Sequence, residues 1–139
     1  MANTDRDYSG TPLPKKLGVR ESSRVLVAGA PDGFRLHPIP SGVELVARVR
    51  APLDVVLLFV TRHSDLRRRF PVLARALAPA GRLWVAWPKK ASGIATDLTF
   101  ETVQRVGLDG GLVDNKSGSI DDEFQGVQFV YRLKDRTSR

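Results

Sequence analysis

The sequence predicts an α/β protein built on a reduced, doubly wound, mostly parallel sheet of about five to six strands. Three observations carry this. The short apolar runs RVLVA (24–28), VVLLFV (55–60) and LWVAW (83–87) have the pattern of strands covered on both faces. Between the second and third runs, Leu66, Phe70, Leu73 and Leu77 fall on one stripe at helical spacing. Strand–helix–strand units of this length are parallel and right-handed in nearly all cases.

Each element follows in order. The first run ends in Gly29-Ala30-Pro31-Asp32-Gly33, a glycine-rich turn after a buried strand. Val43 to Val49 alternates apolar and polar and reads as a second strand. The stretch from Phe34 to Gly42 is too short for an ordinary helical crossover, so the first helix of a doubly wound unit is missing or reduced. Pro52-Leu53-Asp54 leads into the third strand. Ser64 is a candidate cap for the first helix, with Asp65 in its favourable first turn. Pro71 removes a donor inside that helix and predicts a kink or restart. Pro79-Ala80-Gly81 stops it. After the LWVAW strand, Thr96 or Asp97 caps a second helix through Phe100, Val103, Val106 and Leu108, which Gly110-Gly111 ends. A short strand at 111–115 and a final one through Val127, Phe129, Tyr131 and Leu133 complete the order.

The chain has 139 residues, which fits one domain. Residues 1–18 are polar, broken by Pro12 and Pro14, and read as an extended arm. Residues 19–136 form the α/β domain, and 137–139 a frayed tail. No apolar run approaches the roughly 20 residues of a membrane span, and MANTDRDYSG has no secretory core segment. A cytoplasmic protein without a membrane partner is the expectation. The sequence has no cysteine, which excludes disulfides, thiolate nucleophiles and cysteine zinc sites. The net charge of +7 favours anionic partners.

In open α/β sheets, ligands bind at the carboxyl ends of the strands. Four loops then carry the candidates: Gly29, Asp32 and Gly33; Arg62 beside His63; Trp87, Lys89, Lys90 and Ser92; and Asp114, Asn115 and Lys116. Backbone donors, cations, hydroxyls and one aromatic suit a phosphate, a carboxylate or a nucleotide. Each has a plainer reading beside it. The lysine pair is otherwise a solvated surface, the glycine turn a chain reversal, and His63 a surface residue or cap. Trp84 and Trp87 face opposite sides of a strand. Trp84 reads as core, and Trp87, at the strand end, as the ligand-facing one. Arg68 and Arg75 share a helix face, with Arg67 and Arg69 splayed to its sides. This is a solvated face or a stripe for nucleic acid, to which Tyr8, Lys15 and Lys16 would add contacts. No interleaved aromatics or known nucleic-acid motif accompany it. Asp121-Asp122-Glu123 reads as a turn before the last strand, pairing with the basic face. His37 has no assigned role.

LDVVLLFV, a helix, then LAPAGRLWVAWPK, closed by GVQFVYRL, resembles the later half of a Rossmann-like methyltransferase. Through YSGTPLPKKLG, GAPDGF, PLDVVLLFV, WPKKASG and LVDN, most of the chain also resembles a small bacterial family of unknown function, from which Ser117-Gly118-Ser119 departs. The methyltransferase resemblance implies S-adenosylmethionine at the loop after the first strand and an acid at the end of the second. Here Pro31 lacks an N–H, Arg48-Val49-Arg50 stands where the acid belongs, and Glu44 lies at the strand's far end. The Asn/Asp-Pro-Pro-aromatic motif of amino methyltransferases is replaced by Thr61-Arg62-His63.

The expected function is therefore a non-catalytic module that needs no cofactor and binds an anionic small molecule or a protein partner at the carboxyl edge. Lys89, Lys90, Arg62 and Ser92 are its expected anion contacts. The alternatives are a minimal S-adenosylmethionine-dependent methyltransferase and a basic nucleic-acid accessory protein. The oligomeric state stays open, with the edge of the short second strand available for pairing.

Overall fold

The computed structural model describes residues 11–136. The expectations for the first ten residues, Tyr8 included, and for the last three lie outside the described residues. The elements are α1 (Leu13–Leu17), β1 (Arg24–Ala28), β2 (Glu44–Val46), β3 (Leu53–Phe59), α2 (His63–Ala76), β4 (Leu77–Pro88), a 3-10 turn (Lys90–Ser92), α3 (Phe100–Asp109), β5 (Leu112–Ser119), β6 (Phe124–Tyr131) and α4 (Leu133–Arg136). One six-stranded sheet runs in the order β2-β1-β3-β4-β6-β5. The first four strands in that order are parallel, and β6 is antiparallel to both β4 and β5. The predicted reduced, mostly parallel sheet is the one observed, with no helix between β1 and β2.

Alternation along the strands builds two cores. Val56, Leu58, Leu83, Val85 and Trp87 pack on one face with Leu66, Phe70 and Leu73 of α2 and Val103 of α3. Val55, Leu57, Phe59 and Trp84 pack on the other with Leu17, Ile120 and Phe124, joined by Phe34 and Leu36 from the loop after β1. The second face thus uses α1 and a loop where a crossover helix is missing. Residues 13–18, expected as the end of an arm, are part of the packed unit. Leu17 is fully buried, and the Trp84 indole N–H donates to its carbonyl at 3.1 Å.

Several boundaries move for identifiable reasons. β2 is only three residues long. β4 starts at Leu77, because the chain pairs again with Leu53 before a bulge restores register at Val55–Arg82. Helix α2 continues across Pro71, whose ring lies on the exposed side, so no restart occurs. Its N-cap is Arg62, and Ser64 sits inside the first turn. The orphan His63 N–H is satisfied instead from a distant loop, donating to Asp97 Oδ1 at 2.7 Å. Helix α3 is capped by Thr99, in a reciprocal box with Thr102, and not by Thr96 or Asp97. Leu133 leaves the last strand for α4 and is exposed.

Candidate functional site

From β1 the chain steps outward to β2 and then returns past β1 to β3. The direction of strand addition reverses between β1 and β3, which is where open α/β sheets form a crevice at their carboxyl ends. A cavity of about 380 Å³ opens there, lined among others by Gly29, Thr61, Asp65, Arg69 and Glu123. Its floor is aromatic. Phe59, at the end of β3, makes edge-on contacts with Phe34 at 4.9 Å and Phe124 at 5.1 Å. Gly29 takes φ +73°, and a Cβ on it would stand 2.5 Å from the Phe59 carbonyl oxygen, so only glycine lets β1 turn against β3 here. The same Cβ position is 3.4 Å from Arg69 Nη1, which places that guanidinium over the turn.

Asp65 pairs with Arg68 at 2.8 Å. Arg69 and Glu123 make no side-chain hydrogen bond or ion pair with the described residues, so a cation and an anion face the crevice unused. Across the Gly29–Phe34 loop lies a second hollow of about 470 Å³, lined by Phe34, Leu36, His37, Ile39, Leu45 and Val46. Beyond β4 a larger groove of about 770 Å³ is bordered by Trp87, Lys89, Lys90, Phe100, Glu101 and Ser119.

The expected site residues do not all converge. Gly29 lines the crevice. Gly33 shapes the turn at φ +84°, with open space where its Cβ would be. Asp32 is exposed in that turn and makes no hydrogen bond or ion pair with the described residues. Arg62 is exposed at the α2 cap. Trp87, expected to offer a stacking face, is 3% exposed and packs into the core beneath α2 and α3. Lys89 holds the β5–β6 hairpin: its Nζ donates to Ser119 Oγ at 2.8 Å and to the Asp121 carbonyl at 2.7 Å. Ser92 locks its own turn, donating to the Lys89 carbonyl at 2.7 Å and accepting from the Ile94 N–H at 3.1 Å. Lys90 remains exposed on the larger groove.

Asn115 is placed differently from expectation. β5 runs on to Ser119, so the strand's carboxyl end is at 117–119, and Asn115 lies mid-strand at a bulge, accepting from Gln128 Nε2 at 2.8 Å. Asp121 turns the hairpin, its carboxylate accepting the N–H groups of Glu123 and Phe124. The acidic cluster forms no ion pair with the basic helix among the described residues. Two residues of the crevice escaped the sequence argument. Arg69 was legible only as the arginine splayed to one side of α2. Glu123 needs the β4–β6 pairing to bring it there.

No protein-family model matches the chain, and no curated protein sequence does. Solved structures do match in fold. A SAM-dependent methyltransferase from Aquifex aeolicus is 16% identical, over 83% of this chain and 85% of that one, with a TM-score of 0.61. Magnesium protoporphyrin IX methyltransferase from Synechocystis, solved with bound SAM, is 9% identical, over 86% and 74%, with a TM-score of 0.56. The fibrillarin pre-rRNA processing protein of Methanococcus jannaschii is 11% identical, over 87% and 69%, with a TM-score of 0.58. The fold is thus that of the Rossmann-like methyltransferases, in a reduced form. No helix among the described residues is long and apolar enough to cross a membrane.

Proposed function

We propose that the protein binds S-adenosylmethionine at the crevice between β1 and β3 and acts as a small methyltransferase. The observation that carries this is the pair of unused opposite charges, Arg69 and Glu123, over the turn at the strand-order reversal. The amino-acid end of the ligand is a zwitterion. It needs a cation for its carboxylate and an anion for its ammonium, and that is the donor set present. Arg69 would hold the carboxylate by charge-assisted hydrogen bonds, Glu123 would accept from the ammonium, and Gly29 keeps the turn free of a side chain. The hollow around Phe34, Leu36 and Leu45 would take the flat face of the adenine ring. When bound, the ligand supplies an electrophilic methyl group. The larger groove at the end of β4 is then the place for the acceptor.

One part of the ligand lacks its usual holder. No carboxylate follows β2 to take the ribose hydroxyls, because Arg48 and Arg50 stand there. Glu44 is engaged at the strand's start with Arg24 at 3.0 Å and Arg50 at 2.8 Å. That observation favours the second reading, a non-catalytic module for an anionic small molecule or a protein partner.

Calorimetry with S-adenosylmethionine, S-adenosylhomocysteine and inorganic phosphate separates the two. The first reading expects both adenosyl compounds to bind. It also expects Arg69→Ala to weaken them roughly ten- to a hundredfold, the range for losing a hydrogen bond to a charged group, with melting temperature unchanged. Binding of phosphate alone, or adenosyl binding indifferent to Arg69, supports the second.

A further inference from the structure

We propose that the outer face of the α2–α3 layer binds the phosphate backbone of a nucleic acid, with Arg67 and Arg105 as the central contacts. Helices α2 and α3 carry five cations, Arg67, Arg68, Arg69, Arg75 and Arg105, and all are arginine. The chain's six lysines lie on other elements. A guanidinium grips phosphate through a rigid two-donor fork, which an ammonium lacks. Against these five stand three acids, Asp65, Glu101 and Asp109.

The arginines divide by direction. Arg68 and Arg69 border the crevice, and Arg68 is tied to Asp65. Arg67 and Arg105 are exposed and make no hydrogen bond or ion pair with the described residues. They come from different helices and line one groove of about 350 Å³, with His63 and Asp109 also on its wall. Arg62 is a further exposed cation at the α2 N-cap, next to His63 of the groove wall. Three large apolar residues are exposed on these helices, Val72 on α2 and Phe100 and Leu108 on α3; Phe100 borders the groove beyond β4, and none of the three lines the groove between Arg67 and Arg105. A polymer with repeated phosphates matches several free guanidinium groups better than one small anion does. The net charge of +7 favours its approach.

The test is fluorescence anisotropy with the full chain and a labelled 20-base-pair DNA duplex, titrated over a salt series. Binding is expected at low salt, falling log-linearly as salt rises. The double variant Arg67→Glu/Arg105→Glu should weaken binding at least tenfold and flatten the salt slope by about two units, one for each phosphate no longer gripped. A control, Arg20→Glu/Lys116→Glu, changes the net charge equally at two exposed positions away from α2 and α3 and should keep the wild-type slope more closely. If the glutamate pair fails to fold, Arg67→Ala/Arg105→Ala gives the same comparison. No binding at low salt, or equal losses in both double variants, overturns the proposal. The binding is read without any methyl donor, so its failure leaves the crevice reading separately testable.

Discussion

Two places on the carboxyl edge of the sheet present polar side chains around a hollow, and they use them in opposite ways. After β4, Lys89 and Ser92 are turned inward on the protein's own backbone, and the loop they form ties the β5–β6 hairpin to the strand end. Between β1 and β3, Arg69 and Glu123 make no such bonds. A polar group already satisfied within the fold must lose those partners before it serves a ligand, whereas a free one loses only water. Residue type alone therefore does not tell the two loops apart. What separates the two is whether the fold has already used the donors.

The sharpest way to break this comparison is through the backbone beneath the crevice. Gly29→Ala forces a Cβ to within 2.5 Å of the Phe59 carbonyl at a φ of +73°. Left-handed strain and overpacking together should cost about 3 kcal/mol and remove adenosyl binding. Gly33→Ala, at φ +84° but with open space around it, carries the strain alone and should cost about 1 kcal/mol. Urea denaturation of the two variants reads the difference. Equal losses would mean that the Phe59 carbonyl yields and that the crevice floor is not a fixed surface.

The same contrast explains what the sequence made legible. Its continuous apolar runs gave the central strands, and the stripe from Leu66 to Leu73 gave α2, because burial on both faces or on one stripe writes itself into local pattern. The missing crossover between β1 and β2 followed from chain length alone. What stayed hidden depends on partners far along the chain. Asp97 satisfies α2 from another loop, the β4–β6 pairing brings Glu123 to the crevice, and pairing with β6 carries β5 past its bulge to Ser119. Trp87 looked available because it ends a strand, yet α2 and α3 close over it. Arg69 was visible as a splayed arginine, but its direction toward Gly29 is a property of how α2 docks.

The clamp side of the comparison predicts a smaller effect. Lys89→Ala removes the donors to Ser119 and Asp121 and should lower stability by about 1 kcal/mol, with adenosyl affinity unchanged. Lys90→Ala, exposed on the same loop, should stay within about 0.5 kcal/mol of wild type. Thermal melting beside calorimetry checks both. A lost ligand with an intact melting temperature in Lys89→Ala would return the binding role to that loop.

The smallest effect belongs to Arg68, which borders the crevice beside Arg69 but is already paired with Asp65. Its pair with Asp65 is an exposed i, i+3 contact at 2.8 Å, with the arginine side chain 70% accessible. Such pairs contribute well under 1 kcal/mol, and less as salt rises. Arg68→Ala should therefore shift stability by no more than about 0.5 kcal/mol and leave adenosyl binding within twofold. The two adjacent arginines then become a ruler for the crevice. If Arg68→Ala weakens the ligand as much as Arg69→Ala, the carboxylate is held by the outer rim of α2. If only Arg69→Ala does, the ligand sits down against Gly29, where a Cβ has no room.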